Sequence, residues 1–162
     1  MKVKEIMTAN AKACTLTDNL AEAARLMWEA DCGIVPVVAE GGKLVGLITD
    51  RDICMAAMLK GRNEASIAIE AVMSGKLFTC KPEDDIHGAL NTMRNNKVRR
   101  LPVVTAGGKL AGMLSMNDVV LKAAEADDKK APELSYSDVV NTYKSICQHQ
   151  LPMQQSQATA AV

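Results

Sequence analysis

The six residues GGKLVG, Gly41–Gly46, return 66 positions later as GGKLAG, Gly107–Gly112. The same shift, applied without a gap, aligns IVPVV (Ile34–Val38) with RLPVV (Arg100–Val104). Matches spread evenly along a chain are typical of two copies of one structural unit. Further pairs at this shift are Met7 with Met73, Cys14 with Cys80, Asp18 with Asp84, Ala23 with Ala89, Met27 with Met93, and Asp52 with Asp118.

Each copy opens with a predicted helix. Asp18 and Asp84 are predicted N-caps, because a carboxylate accepts hydrogen bonds from the free N–H groups of a first helical turn. Apolar residues then recur at i, i+3, i+4 and i+7, which predicts one buried helical face. These residues are Leu20, Ala23, Ala24 and Met27 in the first copy and Ile86, Ala89, Leu90 and Met93 in the second.

Two strands and a second helix complete each copy. The segment GIVPVVAEGGKLVGLIT (33–49) predicts two strands joined at a Gly-Gly turn. Pro36 and Pro102 lack an N–H group, so we expect them at a strand start or at a sheet edge. A short strand near Cys14 and Cys80 makes each copy a β-α-β-β-α unit.

One such unit of about 50 residues buries too little surface to be comfortable alone. We therefore predict an α/β (α+β) domain in which the two units pack face to face around a pseudo-two-fold axis, with an additional C-terminal helix. The predicted boundaries are 1–60 for unit 1, 61–67 for a linker, 68–123 for unit 2, 124–134 for a charged connector, 135–150 for an amphipathic helix and 151–162 for a flexible tail.

The C-terminal helix lies outside the repeat. Ser135 is its predicted N-cap, and its role stays open between a lid on the chain's own core, a dimer contact and a partner-binding helix. The residues predicted to share one apolar face are Tyr136, Val139, Val140, Tyr143 and Cys147.

Composition excludes several classes of protein. Nineteen acidic and nineteen basic residues balance, and only 2% of residues are aromatic, so we expect no nucleic-acid partner and no anionic membrane surface. The apolar runs are shorter than the roughly 20 residues of a membrane span, and the N-terminal segment does not resemble a signal peptide. Five cysteines without a C-x-x-C pair favour reduced thiols in a cytoplasm.

The segment GLITDRD, Gly46–Asp52, returns as GMLSMND, Gly112–Asp118. A hydroxyl and an aspartate three residues later are preserved, at the junction of a strand with a helix. One interpretation is a helix cap, with the carboxylate in a favourable position in the first turn. The other is a ligand site, because a helix N-terminus attracts an anion and a carboxylate can accept hydrogen bonds from the two hydroxyls of a ribose.

With these motifs the sequence resembles a tandem pair from the CBS-domain family, also called a Bateman module. The resemblance covers about residues 3–123. It rests on EIMT (Glu5–Thr8) and AVMS (Ala71–Ser74), on the A-x-x-x-M helices, on the P-V-V strands and on both G-h-h-[TS]-x-x-D motifs.

The resemblance implies a regulatory module that binds AMP, ADP, ATP or S-adenosylmethionine in two clefts between the units, with no other cofactor required. Asp52 and Asp118 would hold ribose hydroxyls, and Thr49 and Ser115 would lie near ribose or phosphate. Arg51 and Asn117 would face the phosphates. The implied base-side residues are Lys12, Gly33, Ile34, Val35 and Pro36 in unit 1, and Phe78, Thr79, Val98, Arg99, Arg100, Leu101 and Pro102 in unit 2.

In the implied arrangement each cleft is composite. Gly33, Ile34 and Val35 would face Ser115 and Asp118, whereas Val98, Arg99 and Arg100 would face Thr49 and Asp52. Because guanidinium groups bind phosphate, we predict that Arg100 and Arg51 together form the stronger phosphate site. The alternative is a solvated basic patch.

Other chemistry has little support. His87 and His149 are isolated from each other and from any acidic or cysteine cluster at metal-ligand spacing, and Cys14 and Cys80 are expected to be buried packing residues. We find no catalytic motif and predict that the chain is not an enzyme. Three functional interpretations stay open: a nucleotide sensor, a non-catalytic regulatory subunit of an enzyme or transporter, and a structural dimerisation module with vestigial clefts. The resemblance also implies a homodimer formed through the Met- and Ala-rich helices.

Overall fold

The computed structural model describes residues 1–60, 64–125 and 132–148. It confirms a mixed α+β fold with two β-α-β-β-α units. Unit 1 contains β2 (Cys14–Thr15), α1 (Leu20–Glu29), β3 (Ile34–Val38), β4 (Leu44–Thr49) and α2 (Asp50–Lys60). Unit 2 contains α3 (Ile86–Asn96), β5 (Arg100–Val104), β6 (Leu110–Ser115) and α4 (Met116–Lys122). An additional strand, β1 (Thr8–Ala9), precedes unit 1, and a C-terminal helix, α5 (Tyr136–Cys147), follows unit 2.

The structure has two three-stranded sheets, ordered β2–β3–β4 in unit 1 and β1–β6–β5 in unit 2. In unit 1, β3 pairs parallel with β2 and antiparallel with β4. In unit 2, β5 pairs antiparallel with β6, and Cys80 takes the place of β2 as a single parallel bridge to Val103. The segments before the units are exchanged, because β1 pairs with β6 and Ser74 pairs with Leu47 of β4.

Backbone contacts between the units follow the pseudo-two-fold axis that the repeat predicts. Val3 N–H donates to the Asp84 carbonyl at 3.0 Å, and Ile69 N–H donates to the Asp18 carbonyl at 3.1 Å. The shift of 66 positions relates Val3 to Ile69 and Asp18 to Asp84, so the two bonds are equivalent. Lys43 pairs with its own equivalent, Lys109, so the axis passes close to this bridge.

The predicted helix caps are wrong by one residue. Asn19 and Asp85 cap α1 and α3, and they accept from the N–H groups of Glu22 and His87. The carboxylates of Asp18 and Asp84 instead accept from the backbone N–H groups three residues earlier, at 2.7 and 2.8 Å, and stabilise the turns before the helices.

Both prolines are third residues of their strands. The predicted edge position is confirmed for Pro102, because β5 is the last strand of the order β1–β6–β5, and is wrong for Pro36, because β3 is the central strand of its sheet. The N–H and C=O groups of one strand residue point to the same side. The Pro102 carbonyl accepts from Cys80 N–H at 3.1 Å, so the missing N–H would also face the Cys80 side. The parallel pairing of the Cys80 segment with β5 begins at this point, so the missing N–H of Pro102 does not remove a hydrogen bond from the sheet.

Each unit has its own buried cluster, and α5 belongs to that of unit 2. Val139, Tyr143 and Ile146 pack against this cluster, and Thr142 is buried beside them. The N-cap at Ser135 is confirmed. The predicted apolar face is confirmed at Val139 and Tyr143 and wrong at its other members, because Tyr136 and Val140 are each 55% exposed and Cys147 is also exposed. The face that packs is rotated toward positions 139, 142, 143 and 146. Gln150, the predicted end of the helix, and the tail 151–162 lie outside the described residues.

Candidate functional site

A cavity of about 370 Å³ lies between the two units. Unit 1 contributes the start of β3 and the C-terminal end of α1, and unit 2 contributes the junction of β6 with α4. The exchanged segment around β1 closes one side. The lining residues are Thr8, Asn10, Ala11, Lys12, Leu26, Ala30, Asp31, Cys32, Ile34, Val35, Pro36, Arg100, Met113, Ser115, Asn117 and Asp118.

This cavity brings together the predicted residues of one composite cleft. Lys12 and the segment Ile34–Pro36 come from unit 1, and they face Ser115, Asn117 and Asp118 of unit 2. Gly33, predicted in the same cleft, lines a neighbouring cavity with Asp50.

Arg100 lies in a different place from its predicted one. We expected its side chain opposite Thr49 and Asp52, but it lines the cavity of Ser115 and Asp118. The pairing of β5 with β6 explains this, because Arg100 is the direct partner of Ser115. Arg51 does not line this cavity, so the two arginines are not brought together here.

The other predicted residues do not line this cavity, and Arg99 lines a smaller neighbouring one with Ser115 and Asn117. Leu101 and Pro102 are buried in β5, and Phe78 and Val98 pack against the unit 2 cluster. Lys76 lies over the Phe78 ring at 5.4 Å. Thr79, Arg51 and Arg99 are exposed, and Thr49 and Asp52 form the junction of β4 with α2.

The hydroxyl and the aspartate of the motif form a reciprocal helix cap. Asp118 Oδ2 accepts from the Ser115 N–H and from the Ser115 hydroxyl, both at 2.7 Å. Thr49 and Asp52 repeat this arrangement at 2.9 and 2.7 Å. The cap interpretation of the motif is therefore correct for its local geometry.

The same cap also occurs away from the cavity. Ser135 N–H and the Ser135 hydroxyl donate to Asp138 Oδ2 at 2.9 and 2.6 Å. A hydroxyl with an aspartate three residues later therefore marks a helix start and does not by itself mark a site. Ser115 and Asp118 differ because they face a cavity.

The charges around the cavity nearly balance. Arg100 and Lys12 supply positive charge, and Asp118 and Asp31 supply negative charge. Lys12 Nζ also donates to Glu29 Oε2 at 2.8 Å. That bond and those from Arg25 hold the pKa of Glu29 below its usual value. A ligand with both hydroxyl groups and an anionic group would match this mixed lining.

Sequence reasoning missed Thr8, Asn10 and Met113. Thr8 reaches the cavity because β1 pairs across the units, with Thr8 opposite Met113. The repeated motifs EIMT and AVMS preserve a hydroxyl residue at this place, Thr8 in one copy and Ser74 in the other. This repeated hydroxyl was the sequence signal that could have identified Thr8.

The described residues contain neither a cluster of metal ligands nor a membrane-spanning helix. Over residues 1–60, 64–125 and 132–148, no three His, Cys, Asp or Glu side chains converge as a metal site would require. No helix in those ranges has the length and apolar character to cross a membrane. His149 lies outside them.

The family model for the CBS domain matches residues 3–59 and 69–125. The chain therefore belongs to the CBS-domain family and carries two of these domains in tandem, as the motifs predicted.

Known relatives share most of this region. The uncharacterized protein YlbB of Bacillus subtilis is 36% identical over 122 residues, which are 74% of this chain and 80% of YlbB. A homoserine O-acetyltransferase of Methanohalobium evestigatum is 30% identical over 117 residues, but the match covers 72% of this chain and only 23% of the enzyme. The crystal structure of CBSX2 in complex with AMP has a TM-score of 0.63 and 25% identity, and the match covers 74% of this chain and 93% of that one.

Proposed function

We propose that this chain is a regulatory module that binds an adenosine-containing ligand in the cavity between its units. The observation that carries the proposal is the composite lining: Arg100 and Asp118 of unit 2 face the apolar segment Ile34–Pro36 of unit 1. The similarity to CBSX2, whose structure contains AMP, supports the same ligand class. AMP, ADP, ATP and S-adenosylmethionine are the candidates.

Each part of such a ligand has a matching group. The Asp118 carboxylate would accept hydrogen bonds from the ribose hydroxyls, and Ser115 lies beside it. The Arg100 guanidinium would bind a phosphate, with Lys12 and Asn117 nearby. Ile34, Val35 and Pro36 would hold the base through apolar and backbone contacts.

We retain a second cleft as part of the proposal. The pseudo-two-fold axis relates Ser115 and Asp118 to Thr49 and Asp52, and relates Ile34 to Arg100. A ligand there would meet Arg51 at the position of Asn117, with Phe78, Thr79, Val98, Arg99, Leu101 and Pro102 as the remaining candidate contacts. Arg51 would supply the phosphate contact of this second cleft.

We further propose that the module regulates without catalysing a reaction. A ligand shifts such a module only as far as it prefers one packing of the units over another. Its target is an unidentified enzyme or transporter. The match to a quarter-length part of homoserine O-acetyltransferase favours this interpretation, because a similar pair there belongs to a longer enzyme.

We also propose a homodimer in a reducing cytoplasm. Exposed apolar side chains on the Met- and Ala-rich helices α1 and α2, among them Trp28, Met55 and Met58, would supply the dimer contact. All five cysteines are free thiols, as expected for a reducing compartment.

The test is titration of AMP, ATP and S-adenosylmethionine into the full chain, followed by calorimetry and thermal unfolding. A ligand at 100 times its Kd should add about 2.7 kcal/mol to the free energy of unfolding. Arg100→Ala should weaken binding of the phosphorylated ligands by about 10- to 100-fold, because a charge-assisted hydrogen bond is lost.

Arg51→Ala is the matched comparison, because its guanidinium does not line the cavity and any loss of binding in this variant should be confined to the proposed second cleft. It should leave the affinity of that cavity unchanged. Unchanged affinity in Arg100→Ala would contradict the assignment of the phosphate contact. Absence of binding by all three ligands would contradict the proposed function and favour a structural dimerisation module.

A further inference from the structure

A second, smaller cavity adjoins the cavity between the units. It has a volume of about 60 Å³, and its lining residues are Arg99, Arg100, Ser115, Met116, Asn117 and Tyr143. We call it the Tyr143 cavity. Arg100, Ser115 and Asn117 line both cavities, so the two spaces are neighbours across these side chains. The Tyr143 cavity is too small for a nucleoside, but it has room for a single phosphoryl group.

Tyr143 belongs to α5, which lies outside the two CBS domains. The second domain match ends at residue 125, and α5 begins at Tyr136. Because Tyr143 packs on the unit 2 cluster, α5 is held against α3 and α4 with this residue beside the two arginines. The family resemblance does not imply this residue, so its presence at the cavity is a property of this chain.

The side chains that converge on the Tyr143 cavity can donate hydrogen bonds but have no acceptor in the protein. Within the described ranges, no side-chain hydrogen bond or ion pair is made by Arg99, Arg100, Asn117 or Tyr143. Two of these donors are guanidinium groups, which bind phosphate oxygens in a bidentate manner. Four free donors, two of them charged, provide a site for an anion with several oxygen atoms.

The two cavities differ in charge. In the larger one, Asp31 and Asp118 balance Lys12 and Arg100, and this mixed lining suits a nucleoside with a phosphate. Among the described residues that line the Tyr143 cavity there is no carboxylate, and two arginines leave it positive. A phosphate bound at Arg100 would lie where the cavities meet. The next phosphate along the chain would therefore enter the Tyr143 cavity.

We infer that α5 completes the nucleotide site and makes it selective for a nucleoside diphosphate. Tyr143 and Arg99 donate hydrogen bonds to the second phosphate, and Arg100 contacts both phosphates. The inference rests on the proposed function, and it selects ADP among the four candidate ligands. AMP and S-adenosylmethionine have no second phosphate, and ATP would leave its third phosphate outside this small cavity.

The test is calorimetric titration of AMP and ADP into the full chain and its variants, without divalent cations. The wild-type protein should bind ADP at least about tenfold more tightly than AMP. Tyr143→Phe keeps the ring on the unit 2 core and removes only the hydroxyl. It should weaken ADP binding about tenfold and change AMP binding less than about twofold, because one hydrogen bond to a charged group is lost.

Tyr136→Phe is the matched control for the hydroxyl. Tyr136 lies on the same helix, is 55% exposed and lines neither cavity, so both affinities should stay unchanged. Arg99→Ala should also reduce the preference for ADP over AMP, and Arg99 is exposed, so this variant tests the inference independently of the packing of α5. Arg94→Ala removes the same charge from α3 outside both cavities and should leave the preference unchanged.

Two results would overturn the inference and leave the proposed function intact. The first is equal affinity of the wild-type protein for AMP and ADP. The second is an equal loss of affinity for both nucleotides in Tyr143→Phe, because the cavity would then hold the first phosphate. Absence of binding by AMP, ADP and S-adenosylmethionine would instead contradict the proposed function, and the inference with it.

Discussion

Cys14 and Cys80 occupy equivalent positions, and both are buried at the parallel edge of a sheet. Burial raises the pKa of the Cys14 thiol to about 11, with Asp18 adding to the effect. Burial raises that of Cys80 to about 12, with Asp84 nearby. Because the thiolate is the nucleophile, both cysteines stay protonated and unreactive near neutral pH.

Alkylation of the native protein at pH 8 should separate the cysteines by exposure. Cys54 and Cys147 are exposed and should be modified, whereas Cys14 and Cys80 should react only after denaturant is added. Peptide mass mapping of the two samples measures this. Rapid labelling of Cys80 in the native protein would contradict the burial of the bridge to Val103.

The raised pKa values of Cys14 and Cys80 also make the free energy of unfolding depend on pH. Both folded-state pKa values lie above the ordinary thiol pKa of 9.0, so the folded state holds these protons more tightly than the unfolded chain. The associated stability is fully present below pH 9. It should decline as the pH rises from about 9 toward 11 and 12.

At the scale of elements, α2, α4 and α5 begin with the same reciprocal cap. Thr49, Ser115 and Ser135 each donate through a backbone N–H and a hydroxyl to an aspartate three residues later. In α5 these bonds hold the pKa of Asp138 below its usual value, with the Ser135 hydroxyl the largest cause. The cap therefore stabilises the first turn of α5.

Ser135→Ala should lower the free energy of unfolding by about 1 kcal/mol, because the first turn of α5 loses a hydroxyl that both donates to Asp138 and accepts from its N–H. Urea unfolding measures the change. Ser145→Ala is the control: its hydroxyl bonds only the Asn141 carbonyl within the same helix, so its effect should stay within about 0.5 kcal/mol. Equal losses in the two variants would contradict a capping role.

Element types were predictable from the sequence, but orientations were less so. The α5 sequence allows two different helical faces to be buried. Only the position of the unit 2 core decides that Val139, Tyr143 and Ile146 pack while Tyr136 and Val140 stay exposed. The caps at Asn19 and Asp85 were missed because two neighbouring side chains were both able to accept. Tertiary bonds from Leu20 and Ile86 N–H to the opposite leading segment fix the helix start.

At the scale of the molecule, the exchange of leading segments joins the units through their backbones. Gly112 is the point of closest approach, because a Cβ there would lie against the Thr8 carbonyl oxygen. Its equivalent, Gly46, faces the flexible thioether of Met73 instead. The two places where a leading segment crosses the other unit are therefore related by symmetry, but a larger residue is more easily accommodated at Gly46 than at Gly112.

Gly112→Ala should lower the free energy of unfolding by about 1–3 kcal/mol, because the backbone of β1 cannot move without losing its pairing with β6. Gly46→Ala should cost less, because the Met73 side chain can change rotamer. Thermal and urea unfolding of both variants compare them directly. A larger loss in Gly46→Ala would contradict the proposed rigidity of the β1 crossing.

The composite cleft was predictable at the same scale, because the repeat and the family resemblance place the motif of one unit opposite the pre-proline strand of the other. The position of the Arg100 side chain could not be predicted from the sequence. Residues 34 and 100 are equivalents that both line one cavity close to the axis, so assigning each to a single cleft was ambiguous. The asymmetry between the units was also hidden from the sequence, because it depends on α5, which lies against α3 and α4 of unit 2.

Asp31, Cys32 and Arg100 form a wall common to the cavity between the units and to a neighbouring cavity of about 700 Å³ beside α1 and α2. A molecule bound in either cavity would therefore change the surroundings in which a second molecule binds in the other. Thermodynamic reciprocity then requires that the factor by which one occupant alters the affinity for the second equals the factor measured in the opposite order. The coupling can be measured from either side, so the size of a regulatory signal in this protein can be obtained without observing its downstream target.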